Sequence, residues 1–164
     1  MTTTNKFQVS GRVKVVQSSI LFPQDGGLRF ILNVANTAGK TEGPMYSVFN
    51  KKWAQVKTEV RGWYAQKTGQ YSLDEKKPAA LLEVPTQSDT WVVSMLVQDD
   101  KLNTDHKALE KCLKEVCKRA KTEKASVAVS TLLTEAIPEL PELLNKYLVD
   151  QGVSVAFYQE PATA

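Results

Sequence analysis

The alternation of apolar and polar positions along the chain predicts short strands interleaved with amphipathic helices. Residues Phe7 to Leu21 read as extended, with Val9, Val13, Val15 and Val16 as β-branched positions and Gly11 as a bend or bulge. FPQDGG, from Phe22 to Gly27, has turn composition. Leu28 to Val34 is a nearly continuous apolar run, the pattern of a strand covered on both faces. From Met45 to Thr68 the apolar positions Met45, Val48, Phe49, Trp53, Val56, Val60, Trp63 and Tyr64 recur at helical spacing, which predicts one long helix stopped by Gly69.

Tyr71 to Pro78 is a polar connection. Ala79 to Val84 and Trp91 to Val97 follow as strands joined by the turn PTQSDT. Asp105 to Lys121 predicts a second helix, with Leu109, Cys112, Leu113, Val116 and Ala120 on one face and Thr104 or Asp105 as its cap. Its lysine-rich side reads as a solvated face balanced by Glu110, Glu115 and Glu123. Ser126 to Val129 is another strand and STLLTEAIPEL a loop. Pro138 and Pro141 bracket the start of a third helix that Gly152 ends, and Val153 to Tyr158 is the last strand. Strands and helices alternate without repeats or linkers. That predicts a layered α/β domain spanning residues 1–164, with its core at about 6–158 and frayed ends.

Composition narrows the class only a little. The 164 residues carry 21 basic and 18 acidic side chains, an excess too small to argue for nucleic acid by itself. No apolar run reaches the length of a membrane span, and the first residues carry no secretory segment. Cys112 and Cys117 lie on one helix and point apart, so both read as reduced thiols of a cytoplasmic protein. Walker-type, GxSxG and GxGxxG signatures are absent, and no Cys/His cluster has metal-ligand spacing. No metal or other cofactor is expected. The single histidine, His106, reads as a solvated residue near a helix start.

The strand ending in ILNVAN carries the chemistry. Asn33 and Asn36 stand at its exit, and Gly39 and Gly43 lead on into a helix. In isolation these are turn-forming asparagines; paired amides at a sheet's carboxyl edge also suit the vicinal hydroxyls of a ribose. Ser130, Thr131 and Thr134 follow another strand, where hydroxyls and backbone N–H groups suit an anion or cap an ordinary loop.

In order and spacing, VVQSSIL, ILNVAN, GKTEGPMYSVF, VAVSTLLTEA and VSVAFYQE resemble the conserved segments of the macro domain, an ADP-ribose-binding module. WVVSMLVQDDK is similar to the branch that acts on ADP-ribose-1″-phosphate, seen among cellular and phage proteins. The resemblance spans about Lys14 to Tyr158. Ser19 stands where the family carries an adenine-reading aspartate, and Leu133 and Glu135 stand where it carries glycines.

The resemblance implies a three-layer α/β/α domain with a mixed central sheet; the chain is expected to be a monomer that does not engage a membrane. It implies that Asn36 orients the distal ribose with Asn33 in support, and that Gly39 to Gly43 approach the phosphate or scissile bond. Ser130, Thr131, Leu132 and Thr134 form the second loop. Ser19 and Ile20 face adenine, and Phe157 or Tyr158 stacks on it. If a linkage at the distal ribose is hydrolysed, Asp99, Asp100 and His106 are the candidates for activating water, and nothing in the sequence selects among them. The alternative is a catalytically idle macro-like module that binds protein or nucleic acid.

Overall fold

The computed structural model describes residues 11–22, 26–66 and 80–160. Six strands form one mixed sheet in the order β1-β6-β5-β2-β4-β3. These are β1 (Val13–Val16), β2 (Arg29–Asn36), β3 (Leu81–Gln87), β4 (Thr90–Gln98), β5 (Ser126–Ser130) and β6 (Val155–Tyr158). All neighbours pair in parallel except β3, which runs antiparallel to β4. Pro85, which has no N–H for a ladder, lies on the edge strand β3.

The sheet is covered on both faces. Phe30, Leu32, Val93, Met95, Val127, Val129 and Val155 point into the first layer, with α3 (His106–Glu123), α4 (Thr131–Ala136) and α5 (Leu140–Tyr147). Ile31, Ala35, Val92, Leu96 and Ala128 point into the second layer, with α1 (Pro44–Asn50) and α2 (Gln55–Gln66). This two-sided burial explains why β2 and β4 read as continuous apolar runs rather than alternating ones. Beyond β2 the chain runs to β3 and β4 on one side; beyond β4 it crosses through α3 to β5 on the other. The order thus reverses around β2, the place where open α/β sheets leave a crevice.

Several elements differ from the sequence reading. The first extended stretch is strand only from Val13 to Val16 and bends before Leu21, and the expected turn from Pro85 to Thr90 narrows to Ser88 and Asp89 because its ends pair in β3 and β4. The long first helix is two, α1 and α2, broken at Lys51 to Ala54. There the Phe49 carbonyl accepts from Lys52 N at 3.1 Å and Trp53 N at 2.6 Å. The buried Trp53 indole donates to Gln87 Oε1 at 2.9 Å. The apolar spacing continues across the break because both helices face the same layer. The loop after β5 is the short helix α4, too brief to show a period. The third helix passes into a 3-10 turn, Val149–Gln151, before Gly152 at φ 96°. Gly69 and the connection from Tyr71 to Pro78 lie outside the described residues, as does the start of the first extended stretch.

Candidate functional site

A cleft of about 320 Å³ opens at the carboxyl edge of β2 and β4. Its floor is Asn33, Val34, Asn36 and Gln98; Glu42 to Tyr46 form one wall, and Leu132, Leu133, Ala136 and Leu102 close the rest. The two turns on either side of β2 and β5 therefore meet at one crevice.

Asn33 is 1% exposed and sits opposite Ser94 in the ladder. Its Nδ2 donates to Ser94 Oγ at 2.9 Å and to Tyr46 Oη at 3.3 Å. Both amide protons are used, so what Asn33 has left for the cleft is its carbonyl oxygen. Burial pushes the Tyr46 phenol up to about 12, with the Asn33 bond opposing that rise. Tyr46 is therefore a protonated hydroxyl at neutral pH.

Asn36 closes the loop that follows. Its Nδ2 donates to Lys40 O at 3.1 Å and its Oδ1 accepts from Lys40 N at 3.0 Å. Its own backbone N–H donates to Tyr64 Oη at 3.0 Å. Gly39 turns this loop at φ 74°. Gly43, at φ 128° and ψ 172°, occupies a region that only glycine enters readily, and it starts α1 with no side-chain cap.

The second turn is used differently from the sequence reading. Ser130 Oγ is fully buried and accepts from Leu132 N at 3.1 Å, capping α4. Thr134 Oγ1 donates to the Thr131 carbonyl at 3.0 Å. The hydroxyls of Ser130 and Thr134 thus serve the backbone, and Leu132, Leu133 and Ala136 give the cleft an apolar wall. Leu133 is 2% exposed and belongs to the core, and Glu135 is exposed and does not line the cleft.

Other expected site residues stand apart from it. Gly39, Ser19, Ile20, Ser130, Thr131, Thr134, Phe157 and Tyr158 do not line the cleft, nor do Asp99, Asp100 and His106. Phe157 packs toward the α3 layer, and the buried Tyr158 lies 5.5 Å from the Arg29 guanidinium carbon. Ser19 Oγ donates to Glu160 Oε1, and Ile20 N to Glu160 Oε2, both at 2.7 Å. Asp99 Oδ1 accepts from Asn103 N at 2.9 Å and Lys101 N at 2.8 Å; these bonds hold its carboxyl below the usual range. His106 Nε2 meets Glu139 Oε2 at 2.9 Å.

Glu42, Tyr46, Ser94, Gln98, Leu102 and Glu160 are the additions. A polar residue inside an apolar strand signals a buried partner, and Asn33 and Ser94 both carry that signal. Nothing in the sequence marks Leu102 or Glu160. Among the described residues no group of acidic, His or Cys side chains could hold a metal, and no helix could cross a membrane.

No protein-family model and no curated protein matches the chain. Solved structures do. A macrodomain protein from Streptomyces coelicolor is 20% identical at TM-score 0.75, over 90% of this chain and 98% of that one. The macrodomain of Thermus aquaticus DarG is 16% identical at TM-score 0.63, over 90% and 98%. Thermosipho africanus DarTG in complex with ADP-ribose is 17% identical at TM-score 0.66, over 90% of this chain and 41% of that one. The mixed six-stranded sheet between helical layers is the macrodomain fold.

Proposed function

We propose that the chain is a single macro-like domain whose cleft binds ADP-ribose or a close derivative of it. The observation that carries this reading is the state of Asn33. With both protons held by Ser94 and Tyr46, it offers a fixed acceptor beside the protonated Tyr46 hydroxyl. A fixed acceptor next to a donor suits a sugar hydroxyl, which also gives and takes one hydrogen bond. The cleft's size falls within the roughly 300–1,000 Å³ of small-molecule sites. Its apolar side suits the carbon face of a sugar ring.

At the adenine end, Glu160 takes the part that the family gives to an aspartate. Ser19 and Ile20 hold this carboxylate, and its remaining acceptor capacity reads the adenine amine. The finer reading is hydrolysis of a phosphate or ADP-ribosyl linkage at the distal ribose. Glu42 is then the group that activates water, because it is the one carboxylate among the lining residues. Asp99 is engaged in its own turn and His106 with Glu139.

Calorimetric titration with ADP-ribose tests the binding. The expected dissociation constant is well below about 1 mM, a standard free energy near −4 kcal/mol; anything weaker removes the proposal. Glu42→Gln separates the two parts: hydrolysis is lost while binding persists or tightens. Undiminished turnover in that variant removes the role of Glu42 and leaves the binding intact.

A further inference from the structure

The solvent side of α3 carries a feature that the cleft does not explain. Lys107, Lys111, Lys114, Lys118 and Lys121 follow one another at steps of four, three, four and three residues. That spacing puts them in a single row, with neighbours about 5–6 Å apart. The row runs along most of an 18-residue helix, about 27 Å long. It lies opposite the face that Leu109, Cys112, Leu113, Val116, Cys117 and Ala120 bury. No acidic residue falls within the row. Glu110 and Glu115 sit on its flanks, and Glu115 is occupied by Arg119 at 3.3 Å. The helix holds six basic residues against three acidic ones, an excess equal to the +3 of the whole chain.

A second observation comes from α5. Lys114 Nζ lies 5.5 Å from the centre of the Tyr147 ring, and Lys146 Nζ lies 5.2 Å from it. Two ammonium groups are drawn to one ring, and neither is in an ion pair among the described residues. Lys118 and Lys121 are likewise without an ion pair there. The ring face attracts each cation but does not neutralise it. An anion between Lys114 and Lys146 would.

We infer that the lysine row of α3, extended by Lys146 beside Tyr147, docks the phosphate backbone of a nucleic acid. A repeating polyanion matches evenly spaced cations along a rod better than a compact anion does, and releases counterions along its length. A membrane surface fits less well. It calls for apolar side chains beside the cations, and the exposed large hydrophobics Val13, Val15, Phe22 and Leu102 are all on other elements. The inference is independent of what the cleft binds.

Fluorescence anisotropy with a short DNA duplex and a single-stranded RNA of equal length, from 50 to 200 mM salt, tests it. Three to five phosphate contacts predict an affinity loss over that range of about 40-fold to 500-fold for the duplex and about 20-fold to 130-fold for the single strand. Lys114→Gln with Lys118→Gln is expected to weaken binding about tenfold or more at 50 mM salt and to reduce the salt slope by about 1.8 for the duplex and about 1.4 for the single strand. The matched control is Lys51→Gln with Lys57→Gln on the opposite layer, which leaves the slope unchanged. Melting temperatures of both pairs check the fold. Three outcomes overturn the inference: no binding of either nucleic acid at low salt, equal weakening by the Lys114/Lys118 pair and the control pair, or binding of anionic vesicles or acidic peptides in place of nucleic acid.

Discussion

Asn36 and Lys40 form a closed ring of two hydrogen bonds, the amide donating to the Lys40 carbonyl and accepting from the Lys40 N–H. The side chain expected to reach a ligand therefore spends one donor and one acceptor on its own loop. The loop, with Gly43 at its end, is preorganised. Its second amide proton and second lone pair remain for a ligand. Asn36→Ala removes two hydrogen bonds made from a position 6% exposed, and the N–H and carbonyl of the exposed Lys40 turn to water instead. The expected loss is about 1–3 kcal/mol in denaturant unfolding, together with weaker ADP-ribose binding. Asn36→Asp is the sharper probe. It keeps the acceptor for Lys40 N and turns a carboxylate oxygen toward the Lys40 carbonyl, so it should destabilise as well. A fully stable Asn36→Asp protein would show that the Lys40 carbonyl bond contributes nothing.

How far the sequence spoke depends on the range of the physics. Buried strands were legible because both faces of β2 and β4 are covered. The α3 boundary was legible because Asp105 caps it locally, accepting from Ala108 N at 2.9 Å. The convergence of the Asn33 and Leu132 turns was implied by the family resemblance; it rests on β2 and β5 being neighbours in the sheet, an order that the apolar pattern does not give. Use of the hydroxyls was not legible. Whether Ser130 faces a ligand or caps α4 depends on six residues of helix with no period of their own. Nor was Glu160, whose partners Ser19 and Ile20 are about 140 residues away in the chain. The break at Trp53 was hidden for a related reason, since the Trp53 indole bonds to Gln87 on another element.

The two thiols give a direct test of the α3 packing. Cys112 is 1% exposed and burial pushes it up to about 12; Cys117 is 8% exposed and raised for the same reason. A thiol reagent attacks thiolate that it can reach. At pH 8 the native protein is expected to titrate no thiols within the time that denaturant-unfolded chain titrates both. Rapid reaction of a native thiol would show that α3 opens readily.

Leu102 and Leu133 line the same cleft but are held for different reasons. Leu102 is 44% exposed and adopts φ 67°, a left-handed conformation unusual for leucine. The turn keeps it there through Leu102 N donating to Asp99 O at 3.1 Å and Asp99 N donating to Asn103 O at 2.9 Å. Leu102→Gly relieves about 1–2 kcal/mol of backbone strain, offset by about 0.5–1 kcal/mol of unfolded-chain entropy. Its melting temperature should hardly move while ADP-ribose affinity falls. Leu133→Ala empties a site 2% exposed and should cost about 2–5 kcal/mol. A Leu102→Gly protein as unstable as Leu133→Ala would make Leu102 a core residue rather than a ligand contact.

Tyr46 ties the cleft to stability at alkaline pH. Its phenol is raised by burial from 10.0 to about 12, so between those values the unfolded chain loses a proton that the folded chain keeps. Stability therefore stays level in this group below pH 10 and falls as pH rises toward 12, by up to about 3 kcal/mol. Cys112, raised by burial from 9.0 to about 12, steepens the same fall from pH 9 upward. Tyr46→Phe removes the tyrosine's share of the slope. It also leaves Asn33 Nδ2 with Ser94 alone, at about 1 kcal/mol. Unfolding curves of both proteins between pH 8 and pH 11 should thus start apart and converge as pH rises. Parallel curves over that range would mean that Tyr46 ionises as freely in the folded protein as in the unfolded chain, and the floor of the cleft would then be wet.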